Sequence, residues 1–389
     1  MARAGSEGTH FAGNCVTATG LEALGTLDRS RYLGHGPVVS RTARGVILSV
    51  AAGAALYIVL AIGYGEGRQV LAHLRSFSLL LLLLGLLLAS VNYLFRFIRW
   101  QYYLRLLNVP TWPLPRPTQA ADAEPTGKWL SLTDSLLVFL AGFSLTVTPG
   151  KVGEVLKSYL LRESYGQPIA RTAPIVLAER LTDLIGLLLL MLIGVATWMR
   201  PEHHYLLGIG LSLCLMMLLF ASWRSLVYGL LGWIERIPKL GPKLGPKLRE
   251  FYDAAYVLLR PVPLLLATFT SVLSWFAECL AFYLMIHGFP DGGQASVTLS
   301  TFIYAVMTVA GALAFVPGGL GVTEGGMALL LAELVAMSRS SAVAVTLIIR
   351  AQTLWFAVLL GVLALLVFSR RRHVAVSLDQ VTSSNSAAK

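Results

Sequence analysis

Pro149-Gly150-Lys151-Val152-Gly153-Glu154 and Pro317-Gly318-Gly319-Leu320-Gly321, with Glu324 three residues on, each interrupt a hydrophobic stretch of this 389-residue chain. Both breaks lie between segments apolar enough for lipid. Backbone that leaves the helix at membrane depth must be buried in protein or line a wet cavity. Paired interruptions at corresponding places in two halves point to a transport site. Spacing supports a duplicated unit: Arg180 follows Glu154 by 26 residues, and Arg350 follows Glu324 by 26.

Composition agrees with a membrane chain. It is 56% hydrophobic and 13% charged, against about 25% charged in soluble domains, and its mean hydropathy is +0.70. The net charge of +11 does not indicate nucleic acid. The basic residues fall between apolar segments, where the positive-inside rule places them. Cys15, Cys214 and Cys279 show neither pairing nor metal spacing and read as inert packing. Residues 1–43 are polar, lack an apolar core near Met1, and read as a disordered cytosolic tail rather than a signal peptide.

Apolar spans are expected at Val46–Ile62, Phe77–Leu94, Thr172–Met199, Tyr205–Ser222, Pro263–Ile286 and Ala342–Phe368. A Pro-rich polar loop covers 108–130. Leu132–Thr148 leads into the first break and an amphipathic Glu154–Arg162 piece. Val297–Val316 leads into the second break and Glu324–Met337. Residues 224–256 are basic and amphipathic, and their prolines forbid one continuous helix. They read as an interfacial segment on an anionic leaflet, or as an ordinary cytosolic loop. The membrane domain is expected over 44–369, with a cytosolic tail at 370–389.

The charge rule sets orientation. With the N-terminal tail inside, the 96–128 loop, the 224–249 segment and Arg370-Arg371-Arg372 are inside too. The 287–296 loop has no Lys or Arg and faces outside. Residues 132–170 then enter from the cytosol and return to it, whereas 297–340 enter from outside and return outside. The expected fold is all-α: a polytopic protein with about six full spans plus two broken, re-entrant hairpins of inverted orientation. The alternative is that both hairpins cross fully, giving eight or more spans.

The ordered set of motifs resembles the transmembrane domain of lysylphosphatidylglycerol synthases and its stand-alone, flippase-like relatives. It comprises Asn92-Tyr-Leu-Phe-Arg96-Phe-Ile-Arg99-Trp100, Pro149-Gly-Lys-Val-Gly153-Glu154-Val-Leu-Lys157, Glu179-Arg180-x-x-Asp183 and Pro317-Gly-Gly-Leu-Gly321-Val-Thr-Glu324. The likeness covers roughly 45–368. It implies a translocase that moves aminoacylated phospholipid between leaflets, with a separate soluble domain attaching the amino acid. That second domain is expected to be absent here, so the lipid is left open, prenyl-phosphate carriers included.

Ionisable side chains inside a membrane are costly and default to functional candidates. Glu179, Arg180 and Asp183 share a helix face, and either line a headgroup cavity or clamp helices. Gly150 and Gly153 let backbone approach a ligand or a neighbouring helix. Lys151 and a helix start near Glu154 suit a lipid phosphate. Lys157 either joins them, pairing with Glu154, or marks topology alone. Arg350 is expected to pair with Glu324 and serve the second break. Glu278 reads as a proton site, a headgroup contact or a hydrogen-bonded neutral acid. Arg96 and Arg99 are expected to snorkel to lipid phosphates, and Trp100, Tyr102 and Tyr103 to form an aromatic belt. The candidate substrate-binding set is Lys151, Gly153, Glu154, Lys157, Glu179, Arg180, Asp183, Glu278, Gly318, Gly319, Gly321, Glu324 and Arg350.

No catalytic motif, P-loop, metal site or cofactor is indicated. Expected partners are membrane lipids and a lipid-modifying enzyme, not nucleic acid. The expected location is the bacterial cytoplasmic (inner) membrane, with both termini cytosolic. The first reading is lipid translocation. The alternatives are a membrane-embedded transferase or accessory subunit acting on lipid-linked substrates, and a small-solute secondary transporter.

Overall fold

The computed structural model describes residues 67–111, 128–147, 154–198, 208, 212, 216, 224–237, 241–314 and 316–386. Met1–Gly45 forms one unit and Val46–Lys389 the other; the first lies outside the described residues. So do the expected span Val46–Ile62, nearly all of Tyr205–Ser222, and the first break from Pro149 to Gly153.

The described residues are helical, without a strand. Helix α1 (Gly67–Ser76) precedes α2 (Leu79–Leu106). At 28 residues, α2 is about 42 Å long and exceeds the roughly 30 Å hydrocarbon core. Leu80, Leu83, Leu87, Leu94 and Ile98 leave one face of it exposed, as lipid contact requires. Ala89, Asn92, Arg96, Arg99 and Tyr103 are buried on the other, at the spacing of one helix face.

The first hairpin begins with α3 (Leu132–Ala141). The Ser131 side chain caps it by accepting the Asp134 N–H. It tightens into a 3₁₀ turn at Gly142–Leu145 before the break. Beyond the break come α4 (Leu156–Tyr165), the short α5 (Ile169–Thr172) and α6 (Pro174–Trp198). The single helix expected from Thr172 is thus divided at Ala173. Ala173 keeps helical dihedrals, but Pro174 supplies no backbone N–H to continue the ladder, so it suits the start of α6 better than the interior of a longer helix. Gly166 ends α4 in the left-handed region, with φ 70°.

Residues 224–258 form two helices, α7 (Arg224–Glu235) and α8 (Gly241–Leu258). They pack together, with the Arg249 guanidinium 2.5 Å from a Glu235 carboxylate oxygen. The expected interruption is present, although α8 runs past Pro246 near its start.

Helix α9 (Pro261–His287) lies along α2. The Asn92 amide donates to the Ser274 carbonyl at 2.9 Å, and the Ser274 hydroxyl donates back to the Asn92 carbonyl at 3.2 Å. Such interhelical polar contacts hold helices together where lipid removes the hydrophobic drive. Helix α10 (Val297–Leu313) packs on α6 and α9. A 3₁₀ turn at Pro317–Gly319 then leads to α11 (Val322–Leu334). The last rod comprises α12 (Arg339–Arg350), a π turn at Ala351–Trp355 and α13 (Phe356–Ser386). On α13, Gly361 faces the first hairpin: a Cβ there would stand 2.2 Å from the Ser144 backbone nitrogen, so the two backbones meet only because the residue is glycine.

Among the described residues, three helices are long and apolar enough to cross a membrane: α2, α9 and the rod from Arg339 to Arg371. Leu132–Leu145 and Val297–Leu313, the arms leading into the two breaks, are apolar but shorter. At 1.5 Å per residue they reach about 21 and 26 Å, short of a full crossing. The protein is an all-α polytopic membrane protein.

Two expectations fail on α2. Trp100 and Tyr103 have no exposed surface and belong to the interior, not to an aromatic belt. The Trp100 indole donates to Ser135 on α3 at 3.1 Å, so its polar atom is satisfied within protein. Arg96 and Arg99 are also buried and do not snorkel: carboxylates of other segments stand near them.

Candidate functional site

Helix α2 contributes Arg96 and Arg99, the turn before α4 contributes Glu154, α4 contributes Lys157, and α6 contributes Glu179, Arg180 and Asp183. The Arg180 guanidinium donates to both Glu154 carboxylate oxygens, at 2.9 and 3.2 Å, and lies 3.6 Å from Asp183. Arg99 donates to Asp183 at 2.7 Å and to the Thr182 hydroxyl at 3.1 Å. Ser271 on α9 donates to the same Asp183 oxygen at 2.9 Å.

Lys157 reaches Glu179 at 2.6 Å and Glu154 at 4.0 Å. Its ammonium stands 4.8 Å from the centre of the Trp100 ring, a cation–π distance. Lys157 is therefore a buried member of the network; the reading of it as topology signal alone is overturned. Its partner is also unforeseen, because Glu179 faces Lys157 rather than Arg180.

The second break repeats the first pairing. Arg350 donates to Glu324 at 2.6 Å and to the Gly318 carbonyl at 2.6 Å. The other Glu324 oxygen accepts the Gly321 N–H at 2.7 Å. Gly318, Gly319 and Gly321 have φ of 62°, 68° and 85°, values that side chains with a Cβ resist. The glycines shape the turn, and its freed carbonyl meets the arginine. In both halves a glutamate just past the break is bound by an arginine 26 residues on.

A cavity of about 330 Å³ joins the two regions. Arg96, Arg180, Asp183, Glu278, Arg350, Gly318 and Gly319 line it, with Phe143 and Thr146 from the end of the first arm and Thr323 from α11. Tyr304 donates to Glu278 across the wall at 2.6 Å, a hydrogen bond to another helix. Tyr93, also on the wall, donates to the Thr353 carbonyl within the π turn at 2.8 Å. π turns recur at functional sites.

Of the expected residues, Arg180, Asp183, Glu278, Gly318, Gly319 and Arg350 face the cavity. Glu154, Lys157, Glu179, Gly321 and Glu324 stand behind the wall, binding its cations or shaping its turns. Lys151 and Gly153 lie outside the described residues. Arg96, Tyr93, Tyr304 and Thr146 were not foreseen as lining. The spacing Asn92–Arg96–Arg99, opposite the leucine face of α2, is the signal that finds the first of them. Among the described residues no cluster of His, Cys, Asp and Glu fit for a metal occurs.

Fold and site together define a polytopic helical membrane protein with a cavity lined by charged side chains at the second break. The family model for the lysylphosphatidylglycerol synthase TM region matches residues 46–361. The chain belongs to that family, which ties it to membrane-lipid function. No curated protein matches the chain.

Proposed function

We propose that the protein translocates a phospholipid, or a related lipid such as an aminoacylated or prenyl-phosphate-linked one, between the leaflets of a bacterial cytoplasmic membrane. The observation that carries this reading is the cavity, where three arginines and two carboxylates meet the irregular backbone of the second break. Its volume suits a polar headgroup rather than whole acyl chains, which stay in the bilayer. The two hairpins form an inverted repeat and expose the cavity to either leaflet in turn.

Arg180 and Arg350, with Lys151, supply positive potential toward the headgroup phosphate without having to grip it directly. Glu154, Glu179, Asp183 and Glu324 orient those cations, and Glu278 contacts the remainder of the headgroup. Charge in such a site responds to the membrane potential, at about 2.3 kcal/mol per elementary charge in 100 mV. A lipid-modifying enzyme that supplies the cargo is the natural partner.

The test is leaflet exchange of reporter lipids in vesicles, wild type against the Arg180→Ala, Arg350→Ala double variant. Exchange that the double variant lowers at least tenfold supports the reading. Exchange no faster than protein-free vesicles for every lipid overturns it. A covalently altered lipid without exchange indicates the transferase instead.

A further inference from the structure

We infer that Arg96 is the seat of a phosphodiester monoanion, the class of headgroup anion the cavity takes; the inference rests on the lipid reading above. Three guanidiniums reach the cavity wall, and two are already engaged. Arg180 grips Glu154 with two bonds, and Arg350 holds Glu324 and the Gly318 carbonyl. Arg96 is different. It is only 7% exposed, yet none of its guanidinium nitrogens hydrogen-bonds a described residue, whereas Arg180, whose Nε is also unpartnered, is bound through its terminal nitrogen. Its nearest carboxylate, Glu154, is 3.9 Å away and is held more closely by Arg180.

A buried charge with unused donors is costly unless something fills them. The Phe143 ring supports the guanidinium, with its carbon 5.0 Å from the ring centre. The fork's edges remain for a planar, bidentate acceptor, the geometry that makes arginine a phosphate ligand.

Local charge narrows the class. Among the described residues, the network around Arg96 holds the cations Arg96, Arg99, Lys157 and Arg180 and the carboxylates Glu154, Glu179 and Asp183. Arg350, Glu324 and Glu278 on the facing side bring the total to five against five, so the positive excess is local to the Arg96 side. A phosphodiester's single negative charge matches that local excess, whereas a phosphomonoester carries about −1.5 to −2 and exceeds it.

The experiment is thermal unfolding of the purified full chain in a neutral detergent. The probes are short-chain phosphatidylglycerol, inorganic phosphate and a diacylglycerol of equal chain length. Phosphatidylglycerol is expected to stabilise wild type, diacylglycerol not. Arg96→Gln lowers the apparent affinity at least tenfold. Arg96→Lys, which keeps the charge but loses the fork, lowers it at least threefold while the protein stays folded. Arg105→Gln, at an exposed position of the same helix, leaves it unchanged.

Wild-type affinity in Arg96→Lys overturns the inference, as does equal stabilisation by diacylglycerol. Inorganic phosphate matching the lipid also overturns it, because the site is then one for free phosphate. The two readings fail separately. Lipid exchange with Arg96-independent binding sinks the seat alone. Arg96-dependent binding without exchange sinks translocation alone.

Discussion

Lys157 is 1% exposed, and its ammonium sits 2.6 Å from Glu179. Two charges taken out of water survive only because each is the other's solvent, and removing one partner of a buried pair costs about 3–5 kcal/mol. Glu179→Leu is therefore expected to lower the unfolding temperature sharply in detergent, while Lys157→Met with Glu179→Leu recovers much of the loss. A double variant as unstable as the sum of the singles contradicts the pairing. This pair also marks the limit of legibility at the residue scale. Sequence spacing relates a residue to neighbours on its own helix, so Arg180 beside Asp183 was readable. Arg99 meets Asp183 across 84 positions, and only α9, packed against both α2 and α6, brings them together. Arg96 and Arg99 read as interfacial for the same reason: their carboxylates are invisible along α2.

The second break is a device at the scale of an element. Gly321 has φ 85° and an open space where a Cβ would go. Gly321→Ala thus tests backbone strain alone, with an expected cost of about 1–2 kcal/mol read by thermal unfolding; no loss contradicts the turn. The loop between α9 and α10 holds a second device. The Ser338 N–H at the head of α12 donates to Asp291 at 2.9 Å. Partial burial raises the Asp291 pKa, but the bonds from Ser338 outweigh it and bring it below the usual carboxylate value. A carboxyl with a depressed folded pKa stabilises above its unfolded value and loses that contribution as pH falls through the folded one. Wild type is therefore expected to exceed Asp291→Asn in unfolding temperature at about pH 7, with the gap closing in acid below the ordinary aspartate range of about 4. A gap that widens in acid contradicts it. The second break, and a pairing 26 residues apart in each half, were legible from glycine, proline and charge positions. Helix limits were less so, as Ala173 shows.

At the scale of the whole molecule, the proposed translocation needs the two short arms, α3 with its 3₁₀ turn and α10, to stop inside the membrane. Loop charge predicts opposite orientations for them. Cysteine placed at Glu163 is expected to react with an impermeant reagent from the cytosolic side, and at Gln294 from the outer side. Reaction of both from one side contradicts the inverted hairpins. Membrane character was plain from composition, but the cavity was not, since it forms where six separate stretches of the chain converge. The most direct measurement fills that cavity without touching its charges. Thr308 lines it, and Thr308→Trp occupies the space a headgroup needs. In vesicles, wild-type protein is expected to exchange fluorescent phosphatidylglycerol between leaflets and Thr308→Trp, folded and inserted equally, to fall to the protein-free rate; exchange by the filled variant at the wild-type rate contradicts the cavity as the lipid's path.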